Sequence, residues 1–309
     1  MKLALIGDVH GYFDDFDISY FNHSDYDYII FTGDIPDFFH ISDKAYKNIS
    51  QLQKNGFLIW GNHDGFNFLE VVSELFHLPL AKINSRRIEV VKKRLNRLKN
   101  LFGSNIISGG YKLNLLNENC AIFMVRPHSI GGNRIGYKSL LKELYNVDSF
   151  DDSFKKMKNL LDQFILEFPD VNTILFLGHN GPFGISNDPR DLWGCDFKPE
   201  LGDFGDKDFS RIIDYTKQKN INIPLVIAGH MHHRLSKKTK KYLRKKEEHL
   251  ENFKERQAIT KIDNIYYVNP AKVPRIIKNK NGIYHYHISV ELENNTVIKI
   301  EEKYIKKEL

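Results

Sequence analysis

Met1-Lys2-Leu3-Ala4-Leu5-Ile6-Gly7-Asp8-Val9-His10-Gly11 opens the sequence, an apolar run that ends abruptly in charged and polar residues. Leu3 to Ile6 is a short apolar run with the length of a buried strand. It stops at a glycine, and a carboxylate and an imidazole follow two residues apart. Residues i and i+2 of an extended chain share a face, so Asp8 and His10 are expected to converge just past the strand end. A divalent cation accepts such a pair, although a polar turn after a strand is the commoner origin of one. The question is then whether other strands end in the same way.

Four others do. Ile29 to Thr32 ends in Gly33-Asp34, and Phe57 to Trp60 ends in Gly61-Asn62-His63-Asp64. Thr173 to Leu177 ends in Gly178-His179-Asn180-Gly181, and Leu225 to Ala228 ends in Gly229-His230-Met231-His232-His233. A helix is expected over Ser42 to Lys54, with Ala45, Ile49 and Leu52 on one face, and others over Phe154–Phe168 and Phe209–Lys219. Ile106–Asn114 and Cys120–Val125 are expected to pair as strands. Tyr266–Val268 and Tyr284–Glu291 are expected to close a sheet, with His285 and His287 on its polar face. No repeat or low-complexity linker divides the 309 residues. The expectation is a single α/β domain over residues 1–309, built on two mixed sheets with helices outside, its polar strand ends gathered where open α/β sheets bind ligands.

Carboxylates and neutral imidazoles without a thiolate suit manganese, iron or zinc in a catalytic rather than a structural role. A bridging carboxylate can hold two ions roughly 3.5–4 Å apart, clamp a phosphoryl group and lower the pKa of bound water toward about 7. The nucleophile is then a metal-held hydroxide, and a nearby histidine stabilises charge or protonates the leaving oxygen.

The motifs Asp8-Val-His10, Gly33-Asp34-Ile-Pro-Asp37, Gly61-Asn62-His63-Asp64, Gly178-His179 and Gly229-His230-Met-His232 resemble, in order, those of the calcineurin-like metallophosphoesterase superfamily. The resemblance implies an αββα sandwich of four layers. It implies one ion held by Asp8, His10, Asp34 and His232, and a second held by Asp34, Asn62, His179 and His230. It makes His63 the catalytic imidazole, oriented by Asp64, with Asn62 at the phosphoryl group. Stretches such as Val125-Arg126-Pro127-His128-Ser129-Ile130-Gly131-Gly132 and Asn269-Pro-Ala-Lys-Val-Pro274 resemble a branch found in cyanobacteria and plants, whose substrate is unassigned. Phe38-Phe39 after Asp37, and Asp64 in place of Glu, depart from the protein Ser/Thr phosphatases. Non-catalytic relatives lose the catalytic histidine, which His63 retains.

Around this centre several residues have two readings. Asp37 orients a ligand histidine or caps a helix. Arg126 and His128 contact substrate phosphate or belong to a surface loop with a salt bridge. Trp193, with Asp196 and Lys198, lies in a long Gly- and Pro-punctuated loop that reads as a lid or specificity loop. His233 is expected to point away from the ligands.

The net charge of +6 is concentrated in two places. Lys82–Lys99 carries eight Lys or Arg against one Glu, and Lys237–Arg256 nine against four Glu. Both are read as basic helical insertions, near 82–100 and 236–257, presenting solvated faces; a nucleic-acid footprint is the alternative. The two cysteines, Cys120 and Cys195, are far apart, which fits a reducing cytoplasm. The apolar start is too short for a signal peptide, and no membrane span is expected. The expected function is hydrolysis of a small phosphomonoester. The alternatives are a phosphodiesterase or nuclease using the basic helices, and a non-catalytic, metal-organised binding module.

Overall fold

The computed structural model describes residues 1–37, 42–66, 68–76, 85–246 and 255–308. Phe38-Phe39, residues 82–84 of the first basic run, and 247–254 of the second lie outside the described residues.

Four parallel strands form one side of the first sheet, out to its edge: β1 (Lys2–Ile6), β2 (Tyr28–Phe31), β3 (Asn55–Ile59) and β4 (Ile106–Gly109). The second sheet starts with β5 (Lys112–Leu115), antiparallel to β6 (Cys120–Met124). It continues in parallel through β7 (Thr173–Gly178), β8 (Leu225–Ala228) and, out of chain order, β10 (Ile265–Val268), and ends on antiparallel β9 (Ile259–Ile262). The chain then returns to the first sheet. There β11 (Ile276–Asn279), β12 (Gly282–Glu293) and β13 (Thr296–Lys307) add an antiparallel flank, β12 lying against β1. Both sheets are therefore mixed, as expected.

Residues 106–114 are not one strand, however. Ile106–Gly109 pairs with β3 in the first sheet, and Lys112–Leu115 pairs with β6 in the second. The crossing falls at Gly110, where an added Cβ would stand 2.5 Å from the Pro127 ring. The hairpin β12–β13 turns on Asn294 and Asn295, both at positive φ, as a tight two-residue turn requires.

Alternation along the strands builds two cores. Leu3, Leu5, Ile30, Phe57 and Ile59 of the first sheet pack inward, in one cluster with the strands of the second. Ala4, Ile6, Ile29, Phe31 and Leu58 face the other way. They are covered by α1 (Asp15–His23), α2 (Lys44–Ile49) and α4 (Ser85–Leu101), through Phe21, Tyr46, Val91 and Leu95. On the far side α6 (Phe150–Glu167) and α7 (Lys207–Gln218) cover the second sheet through Met157, Leu161, Phe209 and Ile212. The order of layers is helix, sheet, sheet, helix. Shorter helices are α3 (Phe68–Phe76), α5 (Lys138–Tyr145) and α8 (Lys237–Lys246). Among the described residues no helix is long and apolar enough to cross a membrane.

His285 and His287 were expected on a polar face. Both are about 1% exposed, because that face of β12 is roofed by α1.

Candidate metal centre

β1, β2, β3, β7 and β8 end side by side, so the residues that follow them meet at one point. They meet through strained backbone rather than extended chain. Asp8 (φ 27°), His10 (φ 43°), Asp34 (φ 51°) and His230 (φ 67°) are all left-handed, a conformation that costs on the order of 1–3 kcal/mol in a non-glycine residue. Asp8 and His10 thus converge for a different reason from the one expected. The glycines before the ligands are needed for close approach. A Cβ on Gly61 would lie 2.2 Å from Asp34 Oδ1 and 2.7 Å from the His179 ring, and one on Gly229 would lie 2.2 Å from Asp8 Oδ1.

Two groups of three ligand atoms result, each group within 4.8 Å: Asp8, His10 and His232, and Asp34, His179 and His230. His10 Nε2 stands 3.2 Å from His232 Nε2, which is 3.3 Å from Asp8 Oδ2. The Asn62 side-chain oxygen lies 2.7 Å from His179 Nε2 and 3.1 Å from His230 Nδ1. Asp34 faces both groups. Its Oδ1 accepts the His63 amide at 2.7 Å, while Oδ2 lies 3.8 Å from His10 Nε2 and 3.5 Å from His179 Nε2. Neighbouring groups fix the donors. His179 Nδ1 lies 2.6 Å from the Thr32 carbonyl, which sets the tautomer that leaves Nε2 free. Thr32 Oγ1 and the His230 amide both donate to Asp8.

The charge balance of this site is unusual. Asp8, Asp34 and Asp64 are all buried, and among the described residues none pairs with Lys or Arg. Burial raises the Asp34 carboxyl well above its usual range, and the Asp8 and Asp64 charges add to this. Burial also raises Asp8, but the His232 hydrogen bond and the surrounding imidazoles outweigh it and leave Asp8 lowered. Burial holds His10 and His230 well below 6.5, with neighbouring imidazoles adding to it. They stay neutral, as metal ligands must be. Buried carboxylates that no Lys or Arg balances, set among imidazoles, form a donor set that a divalent cation would complete.

His63 stands at the edge of this cluster, its ring 5.2 Å from that of His10 and at a steep angle. Burial, then the charges of His179 and His232, push its pKa down to about 3. Asp64 does not orient it. The Asp64 carboxylate accepts four hydrogen bonds from elsewhere: Ile35 N, Tyr46 Oη, Asp34 N and Gly61 N. It ties the ends of β2 and β3 together and so positions Asp34. Tyr46 and Thr32 were not singled out from the sequence, since nothing local marks a helix tyrosine or a strand-end threonine as a partner.

The three expected substrate contacts lie elsewhere. Arg126 is 2% exposed and bound to Asp208 through Nε at 2.8 Å and to Asp206 at 2.8 Å, a buried network that joins α7 to the loop after β6. His128 is wholly buried, its Nδ1 2.8 Å from the Gly61 carbonyl. Trp193 is also wholly buried, stacked where a Cβ on Gly181 would come within 1.9 Å of its ring. Of that loop, Asp196 and Phe197 do reach the cavity over Asp34, Asn62 and His63, and Lys198 is exposed. His233 turns away, as expected, with Nε2 2.7 Å from the Asn269 carbonyl. Asp37 is exposed beside Gly11, and among the described residues the next helix, α2, begins after Asp43.

The family model for calcineurin-like phosphoesterases matches residues 1–234. The chain belongs to this family. All the ligand positions above lie inside the matched span of this calcineurin-like phosphoesterase. No curated protein matches it. Among solved structures, phosphopantetheinyl hydrolase from Mycobacterium tuberculosis is similar at 13% identity, covering 87% of this chain and 88% of that one, with a TM-score of 0.38. A hypothetical protein from Thermus thermophilus is similar at 10% identity over 100% of both chains, with a TM-score of 0.42.

Proposed function

We propose that this calcineurin-like phosphoesterase holds two divalent ions, manganese, iron or zinc, and hydrolyses a small-molecule phosphomonoester. The observation that carries the reading is the pair of adjacent ligand groups, with Asp34 Oδ2 of one 3.8 Å from His10 Nε2 of the other, and with buried carboxylates that no Lys or Arg balances among the described residues. Asp8, His10, Asp34 and His232 would hold one ion, and Asp34, Asn62, His179 and His230 the other. Ions held there polarise phosphoryl oxygens and lower the pKa of a bound water toward about 7.

The chain's own groups do the rest. The His63 amide on Asp34 Oδ1 leaves Oδ2 to face both ligand groups. Asp64 sets the distance between the β2 and β3 ends, and so the spacing of Asp34 and Asn62. His63, neutral at pH 7, offers a ring N–H to a phosphoryl oxygen or to the oxygen that leaves. A cavity of about 250 Å³ over these residues suits a small molecule better than a polymer. The two cysteines are buried and unpaired, in keeping with a cytoplasmic location.

The test is hydrolysis of a generic phosphomonoester and a generic phosphodiester, side by side, by metal-loaded protein, with Asp34→Asn as control. Monoester preference supports the reading. Diester preference replaces it with the phosphodiesterase one and brings the basic faces of α4 and α8 into play.

A further inference from the structure

The cavity over Asp34, Asn62 and His63 has a polar floor and an apolar wall. Val71 and Val72 come from α3, Ile130 from the loop after β6, Phe197 from the loop after β7, and Met231 from the loop after β8. Four separate segments therefore contribute apolar surface to one small space. Val71, Ile130 and Met231 are each less than 9% exposed, and Phe197 is braced edge-on against Phe204 at 4.9 Å. The carboxylate in this wall, Asp196, is already engaged by the Ser236 amide at 2.9 and 3.1 Å. The wall's cation is Arg234, which is exposed and makes no ion pair among the described residues.

A phosphoryl group on the floor would thus carry its leaving group against carbon. Hydroxyls of a sugar or polyol placed there would lose water and gain few partners, which disfavours them. Methylenes or an aromatic ring would gain by burial. Resting on the phosphoesterase reading, we infer that the substrate is a phosphomonoester of an apolar alcohol, alkyl or aryl, whose hydrocarbon lies against Val71, Val72, Ile130, Phe197 and Met231. In the reaction the bond from phosphorus to the alcohol oxygen breaks and a bond from phosphorus to a water oxygen forms. A water proton ends on the departing oxygen, giving the free alcohol and inorganic phosphate. Arg234, beside the floor histidines, favours approach of the dianionic ester.

The experiment is a series of n-alkyl phosphates from ethyl to hexyl, with glycerol phosphate beside them. Alkyl leaving groups differ little in intrinsic reactivity, so the slope reports burial. The expected result is a kcat/KM rising about two- to fourfold per methylene until the cavity is full, with glycerol phosphate below propyl phosphate. Val72→Asn and Phe197→Ser should each flatten the slope. Binding of n-alkyl phosphonates to the metal-loaded protein, measured by calorimetry, should show the same trend without turnover, and it decides the matter if either variant folds poorly. A flat or falling series with clear turnover overturns the apolar assignment and leaves the phosphoesterase reading standing. No turnover of any ester by protein with two metals bound overturns both.

Discussion

Two regions of this molecule bring aspartates and histidines together, one of them buried and the other with Asp14 at its open edge, and they balance the charge differently. One is the centre at the strand ends, with Asp8, Asp34 and four histidines. The other lies under α1, where ligand atoms of Asp14, Asp17 and His285 also come within 4.8 Å of one another. By proximity alone the two look alike. In the second, however, Arg275 donates to Asp17 Oδ1 at 2.9 Å and Lys307 reaches Asp14 at 3.1 Å. Arg275 also donates to the carbonyls of Tyr12 and Tyr286, so it is a built part of the fold. Asp14 is the cap of α1 in ordinary extended backbone, and neither Asp17 nor His285 has a positive φ. At the strand ends four ligand residues are strained, and among the described residues no Lys or Arg balances the carboxylates. Strain plus missing positive charge marks a place kept for a cation. An internal guanidinium marks a structural cluster.

The sharpest way to break this distinction is to count metal. Wild-type protein reconstituted with manganese should hold two ions per chain by elemental analysis. Asp34→Asn should lose at least one of them, and activity should fall to background. Asp17→Asn should keep both. Metal lost from Asp17→Asn alone would mean that the cluster under α1 is a site after all. His63→Ala comes next. It should keep both ions and lose about 10²- to 10⁴-fold in kcat, the range for a positioned proton donor. Arg275→Met tests the other region. It leaves Asp17 buried without its partner and should cost about 3–5 kcal/mol in denaturant unfolding, with manganese content unchanged in the folded protein. Asp64→Asn should have a smaller effect, about 10- to 100-fold in metal affinity or activity. An unchanged metal affinity and rate would show that its four hydrogen bonds do not position Asp34.

How legible each region was follows from how its residues are constrained. The candidate ligands could be read because they stand just past buried strands, with glycines beside them that let one side chain approach another. Gly61 and Gly229 show this directly. Arg126 could not be read in the same way. Its partners Asp206 and Asp208 lie about eighty residues away, and only folding reveals that its charge is already spent. Trp193 looked like a lid because its loop is long, yet it fills the space left by Gly181. β13 is an edge strand with charge at nearly every second position and one buried residue, Val297, so its apolar alternation is faint. His285 and His287 alternate with apolar residues as a solvent face would. Helix α1, which covers them, begins with Asp14 and Asp17 as a capping box, a pattern easily lost in the acidic run around it. The apolar wall of the cavity comes from four segments, and no local pattern joins them.

The smallest effect concerns how the region under α1 answers to acid. Burial, helped by the Arg275 guanidinium, pushes the His287 pKa down to about 3 from an ordinary 6.5. Between those two values the unfolded chain binds a proton at this residue that the native chain does not. The native state is therefore fully favoured above pH 6.5 and loses stability as pH falls toward 3, at about 1.4 kcal/mol per pH unit for this one group. His287→Phe removes that term. It also removes the contact with the Tyr26 hydroxyl at 2.8 Å, worth about 1 kcal/mol, in a pocket already lined by the rings of Phe21 and Tyr26. The variant should be slightly less stable than wild type at pH 7.5, and the gap should close or reverse by pH 5. The check is unfolding free energy across that range. A gap that stays constant with pH would mean that His287 takes up its proton inside the fold. In that case the aromatic pocket under α1 accommodates a charge without the paired guanidinium that the ion cluster beside it uses.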